Sequence, residues 1–173
     1  IMISTIKGHF MKPEGGFYSQ PYIVASLFNH VNQKYYVIGG FHGKSKPDVA
    51  NEQRRAESVQ QIMDIMQHIG STFYQPNYIL MGDFNADAFP VKSKNGDIVE
   101  PLAINTAFDH PLQLVSALPI PTSEDAEFYT SSKSRKGLVT KRCIDYILFS
   151  PTLQEVFTGE RPLRHNAASP LPE

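Results

Sequence analysis

The chain has 173 residues, with 16 Lys and Arg against 17 Asp and Glu, a formal net charge of −1, and 41% apolar residues. That is enough for one domain with a real hydrophobic core, and so balanced a charge excludes binding to polyanions through the overall field, so any such contact has to come from a local basic cluster. A single cysteine, Cys143, excludes an internal disulfide and fits an intracellular, cytoplasmic setting, with room for a targeting segment outside these residues; no apolar run approaches the ~20 residues of a membrane span.

In chain order, "PYIVASLF" (21–28) and "KYYVIGGF" (34–41) are β-branched and aromatic runs flanking "NHVNQ", which predicts a β-hairpin with a loop slightly longer than the tightest kind. A polar loop, "HGKSKPD", follows. Residues 52–69 form the clearest helix. Ala56, Val59, Ile62, Met63, Met66 and Ile69 make one apolar face, while Arg54, Glu57, Gln61 and Asp64 take the solvent side. Asn51 is the expected N-cap, with Glu52 in the first turn and Gly70 as the stop. "NYILMG" has few polar positions and reads as a central strand. Residues 86–101 read as loop, a short helix is expected around Ala103–Phe108, and "RCIDYILFS" is a strong strand with an acid, Asp145, inside it. The alternation of strands and helices makes the fold class α/β. The chain begins at Ile1 in mid-pattern and ends in the Pro-rich "RPLRHNAASPLPE", so both ends are expected to be cuts.

Three motifs carry chemistry. In "GDFNAD", Asp83 and Asn85 stand just past a strand end, where alternation points both side chains the same way. One anionic acceptor beside an amide that donates and accepts suits orienting a water and holding a phosphoryl oxygen. An ordinary strand-to-turn junction has the same composition. An EF-hand does not fit, because Ala88 and Lys94 stand where Gly and Glu are required; Asp87 is expected only to turn the chain. In "FHGKSK", the alternate spacing of His42, Lys44 and Lys46 is expected to put an imidazole and two ammonium groups on one side of an extended segment, attracting phosphate; a solvated basic loop is the alternative. In "KRCIDYILFS", an acid within an apolar strand needs a partner, whether Arg142, a histidine or a metal; a buried structural ion pair is the alternative. His9, His30 and His110 fall in expected turns and receive no chemistry, His68 is expected to contact the helix C-terminus rather than a ligand, and His165 is left open. The basic run Lys133–Arg142 reads as a solvated loop, with a nucleic-acid backbone contact as the alternative.

The order strand-His-x-Lys-x-Lys, helix, strand-Gly-Asp-Phe-Asn, strand-Ile-Asp-Tyr-Ile is more specific than any one motif. It resembles the C-terminal half of the endonuclease/exonuclease/phosphatase, or DNase-I-like, superfamily, and within it the deadenylase/nocturnin-like branch. "FHGKSKP", "RRAESVQQIMDIM", "MGDFNA", "HPLQLVSALP" and "IDYILFSP" carry the resemblance across about residues 20–172. It implies part of a two-sheet α/β sandwich, a single partial domain over 1–173, and a metal-dependent phosphoesterase acting on a nucleotide-type phosphoester such as an RNA 3′ end or a dinucleotide phosphate. The implied cofactor is Mg²⁺, with Mn²⁺ as a substitute. By resemblance, Asp83 orients or deprotonates the attacking water, Asn85 binds a phosphate oxygen, His42 stabilises charge on the phosphoryl group, and Asp145 orients a histidine. Lys44 and Lys46 contact phosphate, and Asp83 and Asn85 are weak metal ligands.

Departures are Phe41, where the family has Asn or Thr, and Gly43, where it commonly has Leu. The family's metal-binding Glu and closing Ser-Asp-His segment fall outside the chain, so these residues alone are expected to be inactive. Competing readings are a non-catalytic binding module on half the fold, a lipid or inositol phosphatase, or an abasic-site endonuclease. Protein partners are not legible.

Overall fold

In a computed structural model, residues 2–117, 120–122, 130–135 and 138–156 are described. Strand β1 (Met2–Met11) turns through Lys12–Gly16, where Gly15 and Gly16 take positive φ, into β2 (Phe17–Asn29), and β3 (Lys34–His42) follows. The expected hairpin is present, with β2 and β3 antiparallel from Tyr22↔Phe41 to Asn29↔Lys34. β1 adds a strand outside it, so His9 lies opposite Pro21 in the sheet and not in a turn.

Helix α1 (Val49–Gly70) begins earlier than the periodicity implied, and its N-cap is Asp48, not Asn51. Asp48 is held extended after Pro47, and its Oδ1 accepts the Asn51 N–H at 2.8 Å while its Oδ2 accepts from Asn51 Nδ2 at 2.6 Å. The helix is the crossover between β3 and β4 (Asn77–Asp83), which pair in parallel from Tyr36↔Asn77 to His42↔Asp83. The span read as loop over 86–101 contains a small ladder of β5 (Val91–Lys92) and β6 (Ile98–Val99). Next come α2 (Leu102–Asp109) and β7 (Val115–Ser116). The basic run is a hairpin of β8 (Ser131–Arg135) and β9 (Leu138–Arg142) rather than a loop. β10 (Asp145–Phe149) and a 3-10 turn (Pro151–Val156) complete the described chain. The main sheet runs β1-β2-β3-β4-β10-β7, which makes β4 central as its composition predicted.

Alternation divides this sheet into two unlike faces. Phe10, Val24, Val37, Leu80 and Leu148 point toward α1 and are at most 1% exposed, beneath Val59, Ile62, Met63 and Met66. A Cβ at Gly39 would come within 2.4 Å of Met66 Sδ, so the helix lies close on the sheet at that point. Each such buried aliphatic side chain contributes about 1.5–3 kcal/mol. The opposite face carries the row Lys7–Ile23–Gly40–Met81–Ile147, in which Ile23, Met81 and Ile147 are 41%, 37% and 38% exposed. No helix among the described residues is long and apolar enough to cross a membrane.

Candidate active site

Parallel strands β3 and β4 finish side by side at His42 and Asp83, and β10, running the other way, starts at Asp145 directly opposite Asp83. Three polar residues from three strands therefore form one row at the rim of the open face, at the carboxyl ends of the parallel pair, where open α/β sheets bind ligands. His42 Nε2 lies 3.6 Å from Asp83 Oδ2, with the two side chains 69% and 32% exposed. Asp145 opens its strand rather than sitting inside it. Burial pushes its carboxyl pKa up; the Thr130 hydroxyl bonded to it pulls the other way, the Asp83 charge adds to the rise, and His42 offsets it. Thr130 Oγ1 also accepts the N–H groups of Ile144 and Asp145, both at 3.0 Å.

Asn85 reaches the row by a route that strand alternation does not describe. Its φ of 51° is left-handed, and its N–H donates to Asp83 Oδ1 at 2.8 Å. Its Nδ2 donates to the Gly43 carbonyl at 3.1 Å, and the Gly43 N–H in turn donates to the Asp83 carbonyl at 2.7 Å. The two loops are thus joined directly. A Cβ at Gly43 would lie 2.3 Å from the Phe84 carbonyl oxygen, so a larger residue here would push the loops apart. Phe41 belongs to the other face: it is 7% exposed and packs edge-on against Phe10 and Phe84, so it is a core residue outside the row.

The basic loop is less regular than its spacing suggested. Lys44 is half-buried and Lys46 exposed, and Lys46 has a φ of 81°, which breaks the extended segment that would have aligned them with His42. Beside His42 is a cavity of about 280 Å³ lined by Ser19, Gln20, Pro21, Gly43 and Ser45, with no ionisable side chain other than the imidazole. A second cavity of about 280 Å³ lies at the far end of the sheet, lined by Leu27, Phe28, Tyr35 and Phe73 among others. It holds no acid, base or cation suited to phosphoryl chemistry.

Asp145 does not pair with Arg142, the partner open to it in the sequence. Arg142 binds Asp87, with Nε and Nη2 at 2.9 and 2.5 Å from Oδ2, and its Nη2 reaches the Asn85 carbonyl at 3.4 Å. Asp87, expected only to turn the chain, is 4% exposed and is the buried half of an ion pair with the partly exposed Arg142. A second pair went unread altogether. Glu52 and Arg55, 4% and 1% exposed, are bonded through Arg55 Nε and Nη2, and Glu52 Oε1 also accepts the Ala103 N–H at the start of α2. The available signal was their position, since 52, 55, 56 and 59 fall on one helical stripe, so these charges head the apolar face. His110, also given no role, is 3% exposed; its Nδ1 accepts the Leu112 N–H and its Nε2 donates to Asp64 at 3.2 Å. His165 and the side chains of 133–141 lie outside the described residues.

Among the described residues, no group of three or more His, Cys, Asp or Glu side chains could hold a metal. The donors present are the carboxylates of Asp83 and Asp145 and the Asn85 amide oxygen, to which no described residue donates. That set does not enclose an ion. It does fit magnesium, which is commonly held by one or two carboxylates together with water and substrate phosphate.

No family model and no curated protein sequence matches the chain. Solved structures do. The human Nocturnin catalytic domain with bound sulfate is 16% identical, with a TM-score of 0.58 over 86% of this chain and 47% of that one. An endonuclease/exonuclease/phosphatase family protein from Bacteroides thetaiotaomicron is 15% identical, with a TM-score of 0.55 over 86% and 50%. ANGEL2, a 2′,3′-cyclic phosphatase in complex with adenosine-2′,3′-vanadate, is 13% identical, with a TM-score of 0.57 over 85% and 55%. The chain spans about half the length of each, and at these identities the likeness is one of fold. In its architecture the chain is an α/β protein whose fold is similar to about half of each of these DNase-I-like structures.

Proposed function

We propose that this chain carries the nucleophile-orienting part of a metal-dependent phosphoesterase for nucleotide-type substrates. The observation that carries the reading is the row His42–Asp83–Asp145, with Asn85 tied to Asp83 and Gly43 beside it. In such a site, Asp83 orients the attacking water and accepts its proton. The second N–H of the Asn85 amide is free for a phosphate oxygen. His42, largely exposed, donates to the phosphoryl oxygens as charge develops on them. Lys44 and Lys46 add positive potential for an anionic substrate. Asp145, held by Thr130, sets the orientation of a histidine. Asp83 and the Asn85 oxygen would hold Mg²⁺, or Mn²⁺ in its place, which supplies Lewis-acid polarisation of the phosphoryl group when bound. Apart from His42, the cavity beside it has a lining of hydroxyl, amide and apolar groups that suits a sugar or base rather than a second phosphate. That supports a nucleotide-type substrate, RNA 3′ end or dinucleotide phosphate, over an inositol polyphosphate. We further propose that residues 1–173 are one partial domain and hydrolyse nothing on their own.

The test is a substrate panel on the full-length protein with magnesium, covering RNA 3′ ends, dinucleotide phosphates, inositol phosphates and abasic DNA. Asp83→Asn should lower kcat on the preferred substrate by about 10³-fold, the scale of a lost general base, with little change in melting temperature. Activity within threefold of wild type in Asp83→Asn would remove Asp83 from the chemistry and the reading with it.

A further inference from the structure

The two ion pairs behind the site point beyond the residues of the row. Arg55 is 1% exposed and lies on the buried stripe of α1, yet its guanidinium is not spent on Glu52 alone. Its Nη1 donates to the carbonyls of Lys44 and Lys46 at 2.6 and 3.0 Å. Those carbonyls belong to the loop that carries His42 and both lysines, and they converge on one nitrogen in a loop where Lys46 takes a left-handed φ. Arg142 holds the other loop mainly through a side chain: it grips the Asp87 carboxylate with two nitrogens and reaches the Asn85 carbonyl at 3.4 Å. Glu52, Arg55, Asp87 and Arg142 line one seam whose remaining cavity is only about 10 Å³, about the room of a single water. Two guanidinium groups thus hold two loops from behind, Arg55 by two backbone carbonyls and Arg142 by the Asp87 carboxylate with a longer reach to one carbonyl.

We infer that Arg55 and Arg142 are positioning residues, which set the spacing between the basic loop (42–46) and the acidic loop (83–87) and so between His42 and Asp83. This inference rests on the phosphoesterase reading for its catalytic consequence, though not for its structural content. The physical reason for arginine is the fork. Three nitrogens of Arg55 serve an acid on one side and two carbonyls on the other, and a lysine in its place would keep the charge with a single nitrogen. Neither arginine is required to touch substrate. Displacement of a reacting group by about 1 Å costs on the order of 10²-fold in rate, so a loosened loop is enough to be seen.

The experiment uses Arg55→Lys and Arg142→Lys in the full-length protein, read by amide hydrogen exchange and by steady-state kinetics. Arg55→Lys should raise exchange at the amides of 43–46 while α1 and α2 stay protected. Arg142→Lys, at a partly exposed side chain that tolerates change, should raise exchange at 84–88. Each should lower kcat about 10- to 100-fold with KM within threefold. Unchanged loop exchange, or exchange that rises evenly through α1 and α2, overturns the inference, since the arginines would then be ordinary structural pairs. Loop-specific exchange with unchanged kcat in an active enzyme overturns it too. Loop-specific exchange in a protein whose wild type hydrolyses none of the panel keeps the two clamps and sinks the phosphoesterase reading instead.

Discussion

Ile23 and Val24 are neighbours on one strand, yet one is 41% exposed and the other 1%. The same contrast runs across the sheet, from Met81 against Leu80 to Ile147 against Leu148. Both faces are apolar, so composition does not separate them; what separates them is that α1 packs on one and no described helix packs on the other. The candidate row stands at the rim of the open face, so any layer that packs there also walls the site. Burial of the core and shaping of the site are therefore tasks of opposite faces.

Three measurements break or sharpen that contrast. The largest effect belongs to the helix face: Leu80→Ala should cost about 2–5 kcal/mol in urea unfolding, because a cavity beneath Ile62 and Met66 cannot collapse fully. On the open face, Met81→Gln should stay within about 0.5 kcal/mol and improve solubility. If the Met81 substitution costs as much as the Leu80 one, that face is buried in the protein as it stands, and the distinction between faces fails.

The smallest effect lies at the rim. Burial raises the Asp145 carboxyl above its ordinary value of 3.8, so between that value and its folded value the native state binds more protons than the unfolded one. Stability then falls as pH rises through that window, and the cost persists above it. Asp145→Asn should remove it, raising the melting temperature at pH 7 by no more than about 1 °C, a small gain because the group is only partly buried. The gain should vanish below the unfolded pKa. An equal gain in acid would mean that packing, and not charge, is responsible.

Much of this arrangement was legible where the signal is local. The runs at 21–28 and 34–41, the helical stripe from Ala56 to Met66 and the polar end of "YILMGD" each announce themselves within a few residues. His42 and Asp83 could be named because a strand end places its last side chain predictably. What escaped depends on partners distant in the chain. Asp87 looks like a turn residue until Arg142 folds back onto it. Arg142 stands three positions from Asp145 in sequence, yet it crosses to the neighbouring loop. Asn85 does join Asp83, but through a left-handed turn that alternation does not contain. Asp48 was passed over as a cap because the apolar stripe starts later than the helix does. Glu52 was read only as a first-turn acid, and its buried pairing with Arg55 was missed because charged residues are expected outside.

The register of β10 has a consequence for quality control during folding. Asp145 faces Asp83 because Tyr146 faces Gly82, Ile147 faces Met81, and so on along the ladder. A slip of one residue would turn every side chain of the strand over, carrying Asp145 and Ile147 to the helix side and leaving Ile144 or Tyr146 opposite Asp83 on the open face. Such a misfolded species could keep its sheet, its helices and much of its circular dichroism while lacking the row entirely. Catalytic competence would then report strand register more sharply than any spectroscopic measure of secondary structure.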